Sequence, residues 1–258
     1  GAVKAAGFIA DGGLVINSGA IDAGTISATN IGIGGGTVAS NTINATGVDI
    51  SNGVVNSAIV NATNINMIGG TVNSGNINAT AIDISGGTVD SGTISATALN
   101  ISSGNVDSEN INATTIDISG GTVLGTTIGA DNITMSGGTV LGESMKITTV
   151  HDMQLNGGLL QADALRLTSE QGTIKQLYGV NGGRVYAGHL YIKANKASSN
   201  VVTVDLGSQY NKLSNIFITH GTKGNIAIGS GNDVAGDLRI SVLNGASGAG
   251  QLLGSLTV

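Results

Sequence analysis

A step of seventeen residues in either direction from Val89 lands on Ile21, Val38, Val55, Val72, Val106, Val123 and Val140. A second column with the same step reads Ile9, Ile26, Ile43, Val60, Ile77, Ile94, Ile111, Ile128 and Met145, and a third reads Leu14, Ile31, Val48, Ile65, Ile82, Leu99, Ile116, Ile133 and Val150. The fourth is Ile16, Ile33, Ile50, Met67, Ile84, Ile101, Ile118 and Met135. Glycine forms a fifth at 19, 36, 53, 70, 87, 104, 121 and 138, two residues ahead of the Val column. A unit this short cannot bury its apolar face by itself, so a strict period with fixed apolar columns means that each unit stacks on its neighbours.

The unit is built of strands. Its apolar spacing fits no helical face of period 3.6, whereas Ile82 and Ile84 flank polar Asp83 in strand alternation. Ile94 and Ala96 make a second inward pair around Ser95, and Val89 with Ser91 a third around Asp90. The corners fall at Gly92-Thr93, at Thr97-Ala98 and at Ser85-Gly86-Gly87-Thr88, where glycine permits positive φ and small polar side chains bond the backbone. The chain is therefore expected to be all-β, a three-sided parallel β-solenoid with seventeen-residue coils. Its Ile columns would form a continuous dry core, kept narrow by the Ala column at 28, 45, 62, 79, 96, 113 and 130. The outward column Asn44, Asn61, Asn78, Ser95, Asn112 suits amide ladders. In Asp49, Asn66, Asp83, Asn100, Asp117 the alternation doubles the separation of like charges, whose repulsion at one strand spacing is roughly 1 kcal/mol in water. The absence of proline fits, because proline would remove a ladder donor.

Gly 43, aromatics at 2% and charge at 10% describe no ordinary enzyme, and a hydrophobic fraction of 40% in strict columns argues against disorder. Without cysteine there is neither a disulfide scaffold nor a thiolate metal site. No apolar run approaches the ~20 residues of a membrane helix, so membrane insertion is not expected, and no leader peptide is visible. Between residues 5 and 145 there are ten acids and no Lys or Arg, which speaks against nucleic acid as a partner, since phosphate affinity comes from basic side chains. Nine of the ten basic residues, all three histidines and five of six aromatics lie after residue 145.

At Asp152 the fourth column fails, and a slip of three residues restores the pattern as Met153, Leu155, Gly158, Leu160, Leu165 and Leu167. Val180, Gly183, Val185, Leu190 and Ile192 match the unit again, with a loop or a longer coil expected over TSEQGTIKQLYG. The expected organisation is regular repeats over 1–150, irregular coils over 151–200, and a small C-terminal β module over 201–258, whose strands are separated by Gly/Asn/Asp turns.

The string VDLGSQYNKLSNIFI, residues 204 to 218, resembles a segment recurrent in bacteriophage tail-fibre and tail-tip host-specificity proteins, at Leu206, Gly207, Ser208, Asn211, Lys212, Asn215, Ile216 and Phe217. Leu213 stands where that family usually has tryptophan. GTISATNI and SGNINATAI are similar to that family's repeats as well. The resemblance implies a non-enzymatic structural fibre in the virion tail, with homotrimer or fibre neighbours as partners and a host-cell surface glycan or protein as its target. IDISGGTV is equally similar to the repeats of secreted β-helical autotransporter adhesins, which would place the chain on the bacterial cell surface.

His151, His189 and His220 share no metal-ligand spacing, and Asp152 beside His151 is read as a corner of the slipped coil, so no catalytic residue, metal site or cofactor is expected. GSGNDVAGD has the composition of a calcium turn without its spacing, and the glycine-rich GGRVYAG precedes no helix that could receive phosphate. The NAT triplets at 44, 61, 78 and 112 fall out of the repeat itself. A polysaccharide-degrading tailspike would need paired carboxylates in a groove, whereas these acids lie in outer ladders. Ice binding would need flat Thr-x-Thr ranks that the sides do not offer. Binding hot spots favour Tyr, Trp and Arg, so the expected ligand-binding residues are Tyr178, Arg184, Tyr186, His189, Tyr191, Tyr210 and His220. For Tyr186 and Tyr191, packing in a wider coil is the competing role.

Overall fold

Apolar columns on a seventeen-residue step should produce parallel strands that pair residue i with i+17, and they do. The computed structural model describes residues 2–177, 182–194, 202–206, 208, 210–220, 224–228, 239–243 and 256–257. It is an all-β parallel β-solenoid of about 10 turns with coils of about 17 residues. No helix among the described residues is long and apolar enough to cross a membrane. Two compact units are distinguished, Gly1–Thr114 with Gly120–Leu124, and Thr115–Ser119 with Gly125–Val258.

In the first unit each coil is one strand of 14 or 15 residues: β1 Ala2–Ile16, β2 Ala20–Ile33, β3 Thr37–Ile50, β4 Val54–Met67, β5 Thr71–Ile84 and β6 Thr88–Ile101. Between β5 and β6 the ladder pairs Val72 with Val89, Ile77 with Ile94 and Ile82 with Leu99, but skips Gly75/Gly92 and Thr80/Thr97. Those two gaps and the bend at Ser85–Gly87 divide the coil into three sides, at the corners that the sequence marks. Gly87 there has φ +79, and a Cβ on it would lie 2.6 Å from the Gly70 carbonyl oxygen and 2.7 Å from Met67 Cε, so only glycine fits. The bend is bonded to the coil before it, Ser85 N to Met67 O at 2.8 Å and Thr88 N to Gly70 O at 3.0 Å. Inside, Ile26, Ile43, Ile31 and Val38 are wholly buried, and each such side chain contributes about 1.5–3 kcal/mol of transfer free energy.

Four expectations are corrected in detail. Ile26 pairs with Phe8, not Ile9; β1 carries one extra residue between Ala10 and Gly13, which turns Ile9 outward to 79% exposure. Gly53 is the member of the glycine column that lacks the positive φ of the other seven. Ala28, Ala45, Ala62, Ala79, Ala96 and Ala113 are half-buried beside a corner, and of that column Ala130 alone is buried. The small inward position is serine: Ser57, Ser91 and Ser108 are buried and each donates to the carbonyl two residues on, of Ile59, Thr93 and Asn110, at 2.8, 3.0 and 3.1 Å. This local bond closes the Gly92-type corner without leaving a buried hydroxyl unpaired. The fourth, Val150, belongs to the second unit below.

The outer ladders form as the sequence suggests. Asn61 and Asn78 each donate an amide hydrogen to the asparagine one coil earlier, both at 3.0 Å, and Asn100 donates to Asp83 at 2.6 Å. The NAT triplets are thus occupied in stacking, through Asn44, Asn61 and Asn78.

The following strands are β7 Asn105–Ile118, β8 Thr122–Thr149, β9 Met153–Ser169, β10 Ile174–Gln176, β11 Arg184–Ala194, β12 Val202–Leu206, β13 Lys212–His220, β14 Gly224–Ile228, β15 Arg239–Leu243 and β16 Leu256–Thr257. In the second unit the coils lengthen. Ile133 faces Met153 and Met145 faces Leu165, the seventeen-residue step plus the three-residue slip. Val150 is therefore outside its column and half-buried, a correction to the third column, because the three inserted residues form a corner. Asp152 holds that corner: its Oδ1 accepts from the Thr173 N–H and from Thr173 Oγ1, each at 2.9 Å. TSEQGTIKQLYG supplies β10, whose Ile174 pairs with Met153 and with Val204. Large residues replace alanine on one inward column, where Ile147, Leu167 and Ile192 lie in register and are buried. The described strands of 202–257 join the same parallel ladders, β12 on β10, β13 on β11, β14 on β12, β15 on β13 and β16 on β14.

Candidate functional site

Lengthened coils bring together side chains that are widely separated in sequence. Lys146, Arg166, Tyr191 and Phe217 occupy one outward column, because Lys146 pairs with Arg166, Arg166 with Tyr191, and Tyr191 with Phe217. Their inward neighbours Met145, Leu165, Leu190 and Ile216 are buried, so the column stands on a packed floor. The guanidinium of Arg166 lies 5.1 Å from the centre of the Tyr191 ring, and the Phe217 ring is stacked on Tyr191 with centroids 4.7 Å apart and planes 14° from parallel. His189, exposed in the adjacent column, lies parallel to Phe217 at 6.4 Å. Cation–π and offset ring contacts of this kind contribute about 0.5–1.5 kcal/mol each and, more to the point, fix rotamers.

Tyr186 lies on the preceding side, across the Gly188 corner from this stack. It is half-buried, and the Lys212 ammonium sits 5.4 Å from its ring centre. Neither Tyr186 nor Tyr191 is in the core, which at this level is Val185, Leu190 and Ile192. Arg184 opens β11 opposite Leu159. Tyr210 is half-buried in the turn before β13, its N–H donating to Ser208 Oγ at 3.3 Å, and it has no place in the stack. The backbone of His220 pairs with Ala194 at the end of β13. Tyr178 and Val180 lie outside the described residues. Of the expected residues, then, His189 and Tyr191 share one surface, and Tyr186 flanks it.

Lys146, Arg166 and Phe217 were not singled out as ligand-binding from the sequence. The offset from Arg166 to Tyr191 is twenty-five residues and from Tyr191 to Phe217 twenty-six, so no fixed period aligns them. The available signal was the run of alternating apolar residues on either side of each, such as Leu165-Arg166-Leu167.

Within residues 204 to 218 several of the described side chains serve packing. Leu206, Ser208, Asn211 and Ile216 are buried, and so is Leu213. Asn215 Nδ2 donates to the Gly188 carbonyl at 3.2 Å, stitching the corner between the two aromatic sides. Comparisons with protein-family models, curated proteins and solved structures find no match to this chain. Among the described residues no three His, Cys, Asp or Glu side chains are grouped closely enough to hold a metal ion.

Proposed function

We propose that this chain is a non-enzymatic structural segment of a phage tail fibre that positions host-cell attachment. The observation that carries this reading is the contrast between two surfaces of one fold. Coils of the first unit present ladders of Asn and Asp, such as Asn44–Asn61–Asn78, which satisfy one another and leave little for a partner. The second unit presents an ordered stack of Arg166, Tyr191, Phe217 and His189, residue types in which binding energy concentrates. Repeats supply reach, each coil adding roughly 4.8 Å, and the later coils supply contact to a surface glycan or protein. The likeness of residues 204 to 218 to tail-fibre segments favours the virion tail over the autotransporter-type surface adhesin.

The experiment is a light-scattering mass of the purified chain together with its binding to bacterial cells. A mass of three chains and retention on cells support the fibre reading. A stable monomer with cell binding supports the autotransporter-type adhesin, and no binding to any cell or envelope fraction removes the attachment role.

A further inference from the structure

Beside the aromatic stack lies a cleft of about 160 Å³, lined among others by Thr126, Thr127, Ser144, Lys146, Arg166 and Tyr191. One water needs ~10–15 Å³ of such space, so the cleft admits several waters or one small hydroxylated ring. Two features make it a selective space. The first is charge: Lys146 and Arg166 are paired in register on adjacent strands and both are exposed, so two cations stand about 4.8 Å apart at backbone level. The corner column of the same strands carries Glu143 and Asp163, yet among the described residues neither acid is within ion-pair distance of Lys146 or Arg166. Like charges carried on adjacent strands repel, and an anion between them relieves that repulsion.

The second feature is preorganisation. Arg166 rests against Tyr191, which is itself stacked on Phe217, and this contact biases its planar fork toward the cleft wall before any ligand arrives. The rest of the wall is Thr126, Thr127, Ser144 and Ala164, three hydroxyls and a methyl, over buried Met145. Gly129, seventeen residues before Lys146, contributes no side chain to the space beside the ammonium. A planar carboxylate suits an arginine fork flanked by a lysine, and ring hydroxyls suit the threonine and serine wall and the acids at the corner. A bare inorganic anion would gain from the cations and the hydroxyls as well, but it lacks the several hydroxyl donors that a sugar ring brings to Glu143 and Asp163 at the corner.

We infer that the Lys146–Arg166 cleft is a binding subsite for a carboxylated sugar unit of an acidic surface polysaccharide. This deepens the attachment reading and rests on it. The test is calorimetric titration of the full chain with an oligogalacturonate, with its methyl-ester form, with a neutral oligosaccharide of equal length, and with inorganic phosphate at matched ionic strength. The acidic oligomer should bind, and the ester and the neutral sugar should bind at least about tenfold more weakly. Arg166→Gln and Lys146→Gln should each cost about tenfold with an unchanged circular-dichroism spectrum, because both side chains are exposed, while Lys175→Gln on β10 should change nothing. Equal binding of acid and ester, wild-type affinity in both variants, phosphate binding as tight as the oligomer, or no binding of the acid overturns the subsite. Retention of the wild-type chain on cells is measured in parallel. If it persists while the oligomer fails, the subsite falls and attachment stands.

Discussion

Gln176 and Asn211 meet in the interior and exchange both amide hydrogens. Gln176 Nε2 donates to Asn211 Oδ1 at 2.7 Å, and Asn211 Nδ2 donates to Gln176 Oε1 at 3.0 Å. Each stands where the columns put an apolar residue: Gln176 pairs with Leu155, and Asn211 sits beside Val185, whose N–H donates to Asn211 Oδ1 at 2.9 Å. The remaining capacity goes to the Gly183 and Leu206 carbonyls, both at 2.7 Å, and to the Ser208 N–H at 3.3 Å. The pair therefore ties β10, β11 and the β12–β13 connection at one buried point.

Because this network is satisfied, removing one member is expected to be costly. Asn211→Ala leaves Gln176 its bonds to Gly183 and Ser208 but takes the Asn211 partner from the Val185 N–H, the Leu206 carbonyl and one Gln176 amide hydrogen, and should destabilise by about 2–4 kcal/mol. Gln176→Leu together with Asn211→Leu leaves the Val185 and Ser208 N–H groups and the Gly183 and Leu206 carbonyls without these partners, and should cost more than Asn211→Ala alone. Denaturant unfolding followed by circular dichroism measures both, and a double variant as stable as the single or more so would contradict this account of the pair.

How far the sequence reveals this fold depends on the step. Where the offset stays at seventeen, as from Val72 to Val89, columns, corners and ladders are all legible, because identical residues recur at identical places. Phe8 and Ile9 mark one limit: an extra residue before Gly13 moves Ile9 outward, and two adjacent apolar residues look alike to a periodicity count. The Ser91 bond to the Thr93 carbonyl marks another, since the pattern gives direction but not which backbone group a hydroxyl meets. The surface of the second unit was least legible. His189 and Tyr191 could be picked out by residue type, but their neighbours Arg166 and Phe217 are set by coil lengths that no repeat encodes.

The column assignment itself predicts opposite results at adjacent positions. Ile116 is 2% exposed and Asp117 is fully outward. Ile116→Asp buries a carboxylate without a partner and should cost more than about 4 kcal/mol, while Asp117→Asn should stay within about 0.5 kcal/mol of wild type. Equal shifts in a denaturation series would remove the stacked core.

Glycines divide in the same way. Gly87→Ala forces an L side chain into φ +79 against the Gly70 carbonyl and should destabilise by about 1–3 kcal/mol. At Gly12 a Cβ meets nothing within 4 Å and φ is not positive, so Gly12→Ala should be neutral or stabilising by about 0.4–1 kcal/mol through the unfolded chain. Melting temperatures of the two variants decide the matter, and a Gly87→Ala protein as stable as Gly12→Ala would contradict the tight bend.

Recognition should follow the aromatic column and spare the amide ladders. Tyr191 touches Arg166 on the preceding strand and Phe217 on the following one, so Tyr191→Ala removes both contacts at once and frees the guanidinium. Its inward neighbours Leu190 and Ile192 stay packed, so the loss of stability should be modest, about 1–2 kcal/mol. Binding to cells should fall by a larger factor than stability explains, about tenfold or more, as hot-spot truncations do. Asn61→Ala breaks two ladder bonds, with Asn44 and Asn78, and should leave cell binding unchanged. Both variants are measured as full chains, with cell binding and melting temperature read on the same preparations. If Asn61→Ala abolishes binding while Tyr191→Ala and Phe217→Ala bind as wild type, contact resides on the repeats, and the aromatic column is packing alone.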